Sequence, residues 1–141
     1  MIINEAAYDD ILKLRQEVMY PDKDIDFVKL DDDPMGLHIG VFENEELVAG
    51  MSIFLHGREV QFRKLATRTN MQGKGYASAL MQWLVDYAND MKFDRLWCNA
   101  RTDASGFYKK FGYEETDIRF SKNNYDYVVM SNEKFKMKNE E

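Results

Sequence analysis

The residues with the clearest chemical purpose are Gln72-Gly73-Lys74-Gly75-Tyr76-Ala77, set between a β-like run and a strongly helical one. The first N–H groups of a helix have no acceptor within it, and the helix dipole is positive at that end. Glycines at that point let the backbone approach an anion closely, so the segment suits a phosphate or pyrophosphate. The plain alternative is a simple strand-to-helix connection. The letters exclude two familiar phosphate loops. A P-loop needs Ser or Thr after Gly-Lys, where Gly75 stands, and its leading glycine is missing. A dinucleotide-binding turn would open the first βαβ unit, yet three antiparallel-looking strands precede this one.

The elements that must position this turn follow from periodicity. Met1 to Asn4 is a short apolar start that reads as a first strand. From Glu5 to Met19, residues Ile11, Leu12, Leu14, Arg15 and Val18 fall at helical spacing, and Pro21 closes the run. Asp22 to Gly36 is an acidic loop with a helical turn expected around Ile25 to Leu30. Leu37 to Glu43 and Glu46 to Leu55 predict a hairpin that turns at Asn44-Glu45. Glu59 to Thr67 is the third strand of this group, after a turn at Gly57-Arg58.

Beyond the glycine turn, Leu80, Leu84, Tyr87, Ala88 and Met91 trace one face of a helix over Tyr76 to Met91. Phe93 to Ala100 has a buried-strand pattern. Ser105 to Phe111 is short and helix-like, ending at Gly112. Tyr113 to Ser121 and Tyr125 to Phe135 form a last strand pair turning at Asn123-Asn124, and Lys136 to Glu141 is a polar, frayed end. The order is β-α-(α)-β-β-β-α-β-α-β-β. It describes a mixed α+β fold without repeats or linkers, read as a single domain over 1–141.

Composition sets outer bounds. The 141 residues suffice for one sizeable core, and 45% hydrophobic with 31% charged content is ordinary for a soluble globular chain. A net charge of −6 argues against a nucleic-acid surface and suits a cationic or amine-bearing partner. Cys98 is the only cysteine, so no internal disulfide forms and a cytoplasmic setting is expected. Met1-Ile2-Ile3-Asn4-Glu5 lacks the basic region and long apolar stretch of a signal peptide, so none is expected, and no stretch of about 18 apolar residues exists to span a membrane.

Two motifs and the order of elements make the chain resemble the Gcn5-related N-acetyltransferase (GNAT) superfamily. Gln72-Gly73-Lys74-Gly75-Tyr76-Ala77 fits the family's Gln/Arg-x-x-Gly-x-Gly/Ala signature. Ala104-Ser105-Gly106-Phe107-Tyr108-Lys109-Lys110-Phe111-Gly112-Tyr113 fits its later Ala-x-x-Phe-Tyr-x-x-x-Gly-Phe/Tyr signature. The resemblance implies a mixed, mostly antiparallel sheet of about six to seven strands flanked by helices and splayed at its two central strands. Coenzyme A would lie in that splay. Its pantetheine amides would pair with Leu65, Ala66 and Thr67, and the backbone from Gln72 through Gly73, Lys74, Gly75 and Tyr76 to Ala77 would hold the pyrophosphate. Lys74 either adds a cation there or points to solvent.

The same resemblance implies acetyl transfer from acetyl-CoA to a primary amine by direct attack in a ternary complex, with no metal. Tyr108 stands at the family's position for the acid that protonates the departing thiolate; its alternative role is a core aromatic beside Phe107 and Phe111. The histone-modifying branch carries a Glu at the position of Gln61, which cannot take a proton, so that branch's mechanism does not transfer. Glu59, His56 and Glu17 are substitute bases, each also readable as a surface residue, and no base is assigned. Arg101 and Arg63 either orient the cofactor, grip a substrate carboxylate, or pair with surface acids. Cys98 reads as buried and inert.

The competing function is an acyl-CoA-binding regulatory module without turnover, motivated by Gln61 and the missing base. The acceptor, acyl length and oligomeric state are open: Asp31-Asp32-Asp33 hints at a cationic amine, and an exposed strand edge would admit a homodimer.

Overall fold

The computed structural model describes residues 1–133 and 135; Lys134 and the tail 136–141, expected to fray, lie outside the described residues. Seven strands form one mixed sheet in the order β1-β2-β3-β4-β5-β7-β6. They are β1 (Ile2–Glu5), β2 (Leu37–Glu43), β3 (Glu46–His56), β4 (Glu59–Thr67), β5 (Arg95–Arg101), β6 (Glu114–Lys122) and β7 (Tyr125–Asn132). The helices are α1 (Tyr8–Met19), α2 (Tyr76–Asp90) and α3 (Ser105–Lys109). β4 and β5 run parallel, while β1–β2, β2–β3, β5–β7 and β6–β7 are antiparallel. The α+β architecture expected from the residues is the one found.

Local chemistry explains the two hairpins. Asn44 and Glu45 have φ of 50° and 68°, and Asn123 and Asn124 have φ of 53° and 69°. Two consecutive left-handed residues match the twist of paired strands, and asparagine tolerates that region well. The loop between α1 and β2 differs from its expected single turn. It contains two 3-10 turns, Ile25–Val28 and Asp33–Met35, the second set by Pro34. Met91, assigned to the apolar face of α2, lies one residue past the helix and is 59% exposed.

The chain divides into two compact units: Met1–Phe54 with Phe62–Trp83, and Leu55–Gln61 with the chain from Leu84 on. The first buries Ile11, Leu12 and Leu14 of α1 with Val41, Met51 and Ile53 of the sheet. There Gly40 pairs directly with Gly50 across β2 and β3. A Cβ on Gly50 would stand 2.8 Å from Ile11 Cδ1 and 3.1 Å from the Ile39 carbonyl oxygen. The helix therefore sits close to the sheet because this position has no side chain. Gly50→Ala should destabilise by about 1–3 kcal/mol, the usual cost of overpacking, in urea unfolding; an unchanged midpoint would show that α1 adjusts freely.

α1 also carries an arginine where its stripe is otherwise apolar. Arg15 is 1% exposed and donates through Nη1 to Asp33 Oδ2 at 2.8 Å and through Nη2 to Asp33 Oδ1 at 3.0 Å. It donates further to the Val28 carbonyl at 3.0 Å and to Ser52 Oγ at 2.8 Å. Asp33 also accepts from the Tyr8 hydroxyl at 2.5 Å and the Leu30 N–H at 2.9 Å. His38 completes the cluster, with Nδ1 2.7 Å from Ser52 Oγ and Nε2 3.2 Å from the Asp33 carbonyl oxygen. Asp33 is thus withdrawn from the acidic loop that hinted at a cationic acceptor; Asp31 and Asp32 stay exposed.

In the second unit Leu96, Cys98 and Ala100 of β5 pack with Val128 and Met130 of β7, all at most 2% exposed. The parallel ladder between β4 and β5 spans Glu59↔Arg95 to Gln61↔Trp97. β5 then continues against β7 as far as Arg101↔Tyr127. No helix among the described residues is long and apolar enough to cross a membrane.

Candidate active site

In the first unit, β4 delivers the chain to the glycine turn. Lys64 has φ of 58°, alone among the described strand residues in the left-handed region, immediately before Leu65-Ala66-Thr67 of the same strand. Arg68 then fixes the exit of β4. Its N–H donates to the Val48 carbonyl at 2.8 Å, and its guanidinium pairs with Glu46 and, at 3.4 Å, with Glu17. Glu17, one substitute base, is therefore already committed to an ion pair.

A 3-10 turn over Thr69–Met71 leads into Gln72, whose Nε2 donates to the Thr67 carbonyl at 3.1 Å. Gly73 and Gly75 follow with φ of 79° and 88°. L-residues adopt that region only at a cost, which is the physical reason for both glycines. The first bond of α2 runs from the Ala79 N–H to the Gly75 carbonyl at 3.0 Å. The N–H groups of Tyr76, Ala77 and Ser78 precede it and by helix geometry have no acceptor within the helix. Gln72, Gly73, Lys74 and Gly75 are exposed, so the dipole-positive end of a four-turn helix faces solvent.

Two side chains here depart from simple expectation. Tyr76 is buried and donates its hydroxyl to Glu43 Oε2 at 2.8 Å, anchoring the helix start to β2. Glu43 takes a second hydrogen bond from the N-terminal ammonium, and the two together hold its carboxyl below the usual range. Lys74 Nζ lies 3.8 Å from Met71 Sδ and acts electrostatically on Glu43.

In the second unit, α3 positions Tyr108 in an aromatic cluster. Its ring lies edge-on to Phe107 at 5.3 Å and to Tyr113 at 6.2 Å between centroids. Burial, with a smaller contribution from nearby Cys98, pushes the Tyr108 phenol up to about 12. Tyr108 is a packed aromatic, as its alternative reading expected, and its phenol keeps its proton at neutral pH. Cys98 is buried, as expected, and burial pushes its thiol up to about 12, which disfavours the reactive thiolate.

Of the other candidates, Arg101 and Glu59 are engaged in ion pairs. Arg101 donates to Asp103 Oδ2 at 2.8 Å and stacks its guanidinium 4.1 Å above the Tyr125 ring. Glu59 accepts from Arg95 at 3.0 Å. Gln61 is 7% exposed, and His56 is an exposed residue at the end of β3. Arg63 is half-buried. A surface cleft of about 420 Å³ in the first unit is lined by Asp10, Glu17, Glu45 and Glu46 with Leu14 and Arg68, and none of residues 65–67 or 72–77 borders it.

A seven-stranded mixed sheet with a glycine turn opening the helix after β4 is the architecture of the acyl-CoA N-acyltransferases. The chain belongs to the acetyltransferase (GNAT) family, whose model matches residues 4–113. It is 22% identical over 122 residues to the uncharacterized N-acetyltransferase YitI of Bacillus subtilis (strain 168), covering 80% of this chain and 82% of that protein. Its fold is shared with the ribosomal-protein-S18-alanine N-acetyltransferase of Escherichia coli, at a TM-score of 0.77 and 17% identity over 93% and 92% of the two chains. A GNAT acetyltransferase of Elizabethkingia anophelis with acetyl-CoA bound matches at a TM-score of 0.71 and 16% identity, over 94% and 97%.

Proposed function

We propose that this N-acetyltransferase takes its acetyl group from acetyl-CoA and passes it to a primary amine by direct attack in a ternary complex, residues 1–141 acting as one catalytic domain. The observation that carries the reading is the pair of left-handed glycines, Gly73 and Gly75, at the exposed start of α2. An exposed helix start with this backbone offers N–H groups to solvent, where a diphosphate fits the helix dipole. Leu65, Ala66 and Thr67 offer a strand edge for the pantetheine amides, as an added strand would use. Tyr108 serves as the proton-bearing group for the departing sulfur, and the acceptor amine reaches the thioester neutral, since an ammonium has no lone pair.

The test replaces both glycines by valine. No atom lies within 4 Å of a Cβ placed at either position, so a side chain there meets open space and its cost to the free protein is chiefly backbone strain. At about 1–2 kcal/mol per L-residue in this region, the pair should weaken acetyl-CoA binding by about 30-fold or more. Calorimetric titration reads the affinity, and urea unfolding checks that the variant is folded. Unchanged affinity would sink the diphosphate seat and the reading with it.

One observation favours a second reading, a regulatory module that binds acyl-CoA without turnover. Gln61 replaces the carboxylate of the histone-modifying branch, and its neighbour Glu59 is held by Arg95. The two readings separate on thiol release from acetyl-CoA across a panel of amines: binding without release under any acceptor supports the module.

A further inference from the structure

We propose that Lys64 is a self-acetylation site, its Nζ taking the acetyl group of bound acetyl-CoA when no other amine does so. The inference rests on the cofactor reading above and on the order of the residues that carry it. If the diphosphate sits at 72–77 and the pantetheine runs back along Thr67, Ala66 and Leu65, the thioester emerges at the Leu65 end. The next residue is Lys64.

Two features set this lysine apart, and a third suits it to attack. Its backbone is left-handed at φ 58° inside a strand, a conformation that costs about 1 kcal/mol or more in a residue with a side chain. Strain held at one position of an otherwise regular strand marks a place where side-chain direction matters. The side chain crosses to the end of α1, with Nζ 3.4 Å from the Tyr20 hydroxyl and 5.2 Å above its ring centroid. Tyr20 is in turn packed edge-on against Phe27 at 5.0 Å. The amine is thus half-buried against an aromatic wall, not spread into solvent.

The third feature is the absence of a carboxylate. Like Lys13, Lys23 and Lys74 of the same unit, and unlike Arg15, Lys29 and Arg68, Lys64 has no ion pair among the described residues. It has no pair to break before attacking. The step balances without a further reagent. The neutral Nζ adds to the thioester carbonyl, a C–N bond forms and the C–S bond breaks. The amine proton passes to water, the CoA thiolate departs and is protonated, and lysine becomes an uncharged amide. Loss of the charge also removes the cation–π contact with Tyr20.

The experiment incubates the full chain with acetyl-CoA and no added amine, and follows acetylation of each lysine by peptide mass spectrometry. The expected result is first-order acetylation of Lys64, independent of protein concentration and at least about tenfold faster than at exposed Lys92 and Lys122. Lys64→Arg should abolish that signal with acetyl-CoA affinity unchanged by calorimetry. The Gly73→Val, Gly75→Val double variant should slow Lys64 to the rate of the other lysines. Tight cofactor binding with no modification of Lys64 overturns the proposal and leaves the acetyltransferase reading standing. Modification of Lys64 that survives in the glycine variant overturns it as well, because it would be solution chemistry. Failure of acetyl-CoA to bind at all removes the parent reading, and self-acetylation falls with it.

Discussion

Arg15→Ala should cost about 3–5 kcal/mol of stability, the largest effect expected of any single change in the first unit. The magnitude comes from what is left behind. Asp33 is 2% exposed, and its ordinary tendency to take a proton on burial is overcome by hydrogen bonds from Arg15, Tyr8 and the Leu30 N–H, which bring its pKa down to about 2. Removing the guanidinium strands a carboxylate, orphans the Val28 carbonyl and leaves Ser52 with His38 alone. Two tests sharpen the cause. The double variant Arg15→Met, Asp33→Leu should recover part of the loss, since exchanging a whole buried ion pair for apolar groups is often near neutral. Recovery should stop short of full, because Leu30 N–H then lacks its acceptor.

The pH dependence follows with a definite sign. A carboxyl whose folded value lies below its unfolded value, about 3.9 for Asp, stabilises fully above that value. Its contribution is lost as pH falls through the folded value of about 2. Acid unfolding of the parent chain should therefore show a step in this window that Asp33→Asn lacks. If Arg15→Ala lowers urea stability by less than about 1 kcal/mol, the cluster is ornamental and the α1–β2 loop is held by other contacts.

How much of this was visible in the residues depends on range. The glycine turn could be read because glycine pairs mark backbone that other residues avoid, and Gly73 and Gly75 do adopt it. The hairpin turns at Asn44 and Asn123 could be read for the same local reason. The Arg15–Asp33 partnership could not, since eighteen positions separate the two and only the folded chain brings them together. A signal did exist: Arg15 interrupts an apolar stripe at Ile11, Leu12 and Leu14, and a charge on a core face needs a partner. Lys64 gave none. A lysine in a β-like run carries no mark of a left-handed backbone, which tertiary packing imposes. For Arg101 the structure shows the nearest of its readings, a pair with Asp103 two residues away.

Tyr108→Phe should lower kcat by about 100-fold while acetyl-CoA affinity stays within twofold or so, the loss of one preorganised hydrogen-bond donor to a developing charge. Full proton transfer would suggest a larger effect, but the acidities argue against it. With the phenol pushed up to about 12 and a free thiol near 8.5, handing over the proton is uphill by about 5 kcal/mol. The phenol is therefore expected to stabilise the departing sulfur by hydrogen bonding and to keep its own proton, leaving water to protonate the thiolate. Phenylalanine preserves the edge-on contacts with Phe107 and Tyr113, so the variant should fold. A raised value also has a consequence for pH. Tyr108 stays protonated throughout the neutral and mildly alkaline range, so its ionisation should impose no alkaline fall in kcat until pH approaches 12. Steady-state rates of thiol release for both proteins, on whichever amine turns over, decide the matter. An unchanged kcat would return Tyr108 to the aromatic core alone, and a loss far beyond 100-fold would mean that acyl-CoA itself lowers the phenol's pKa enough for it to act as a true acid.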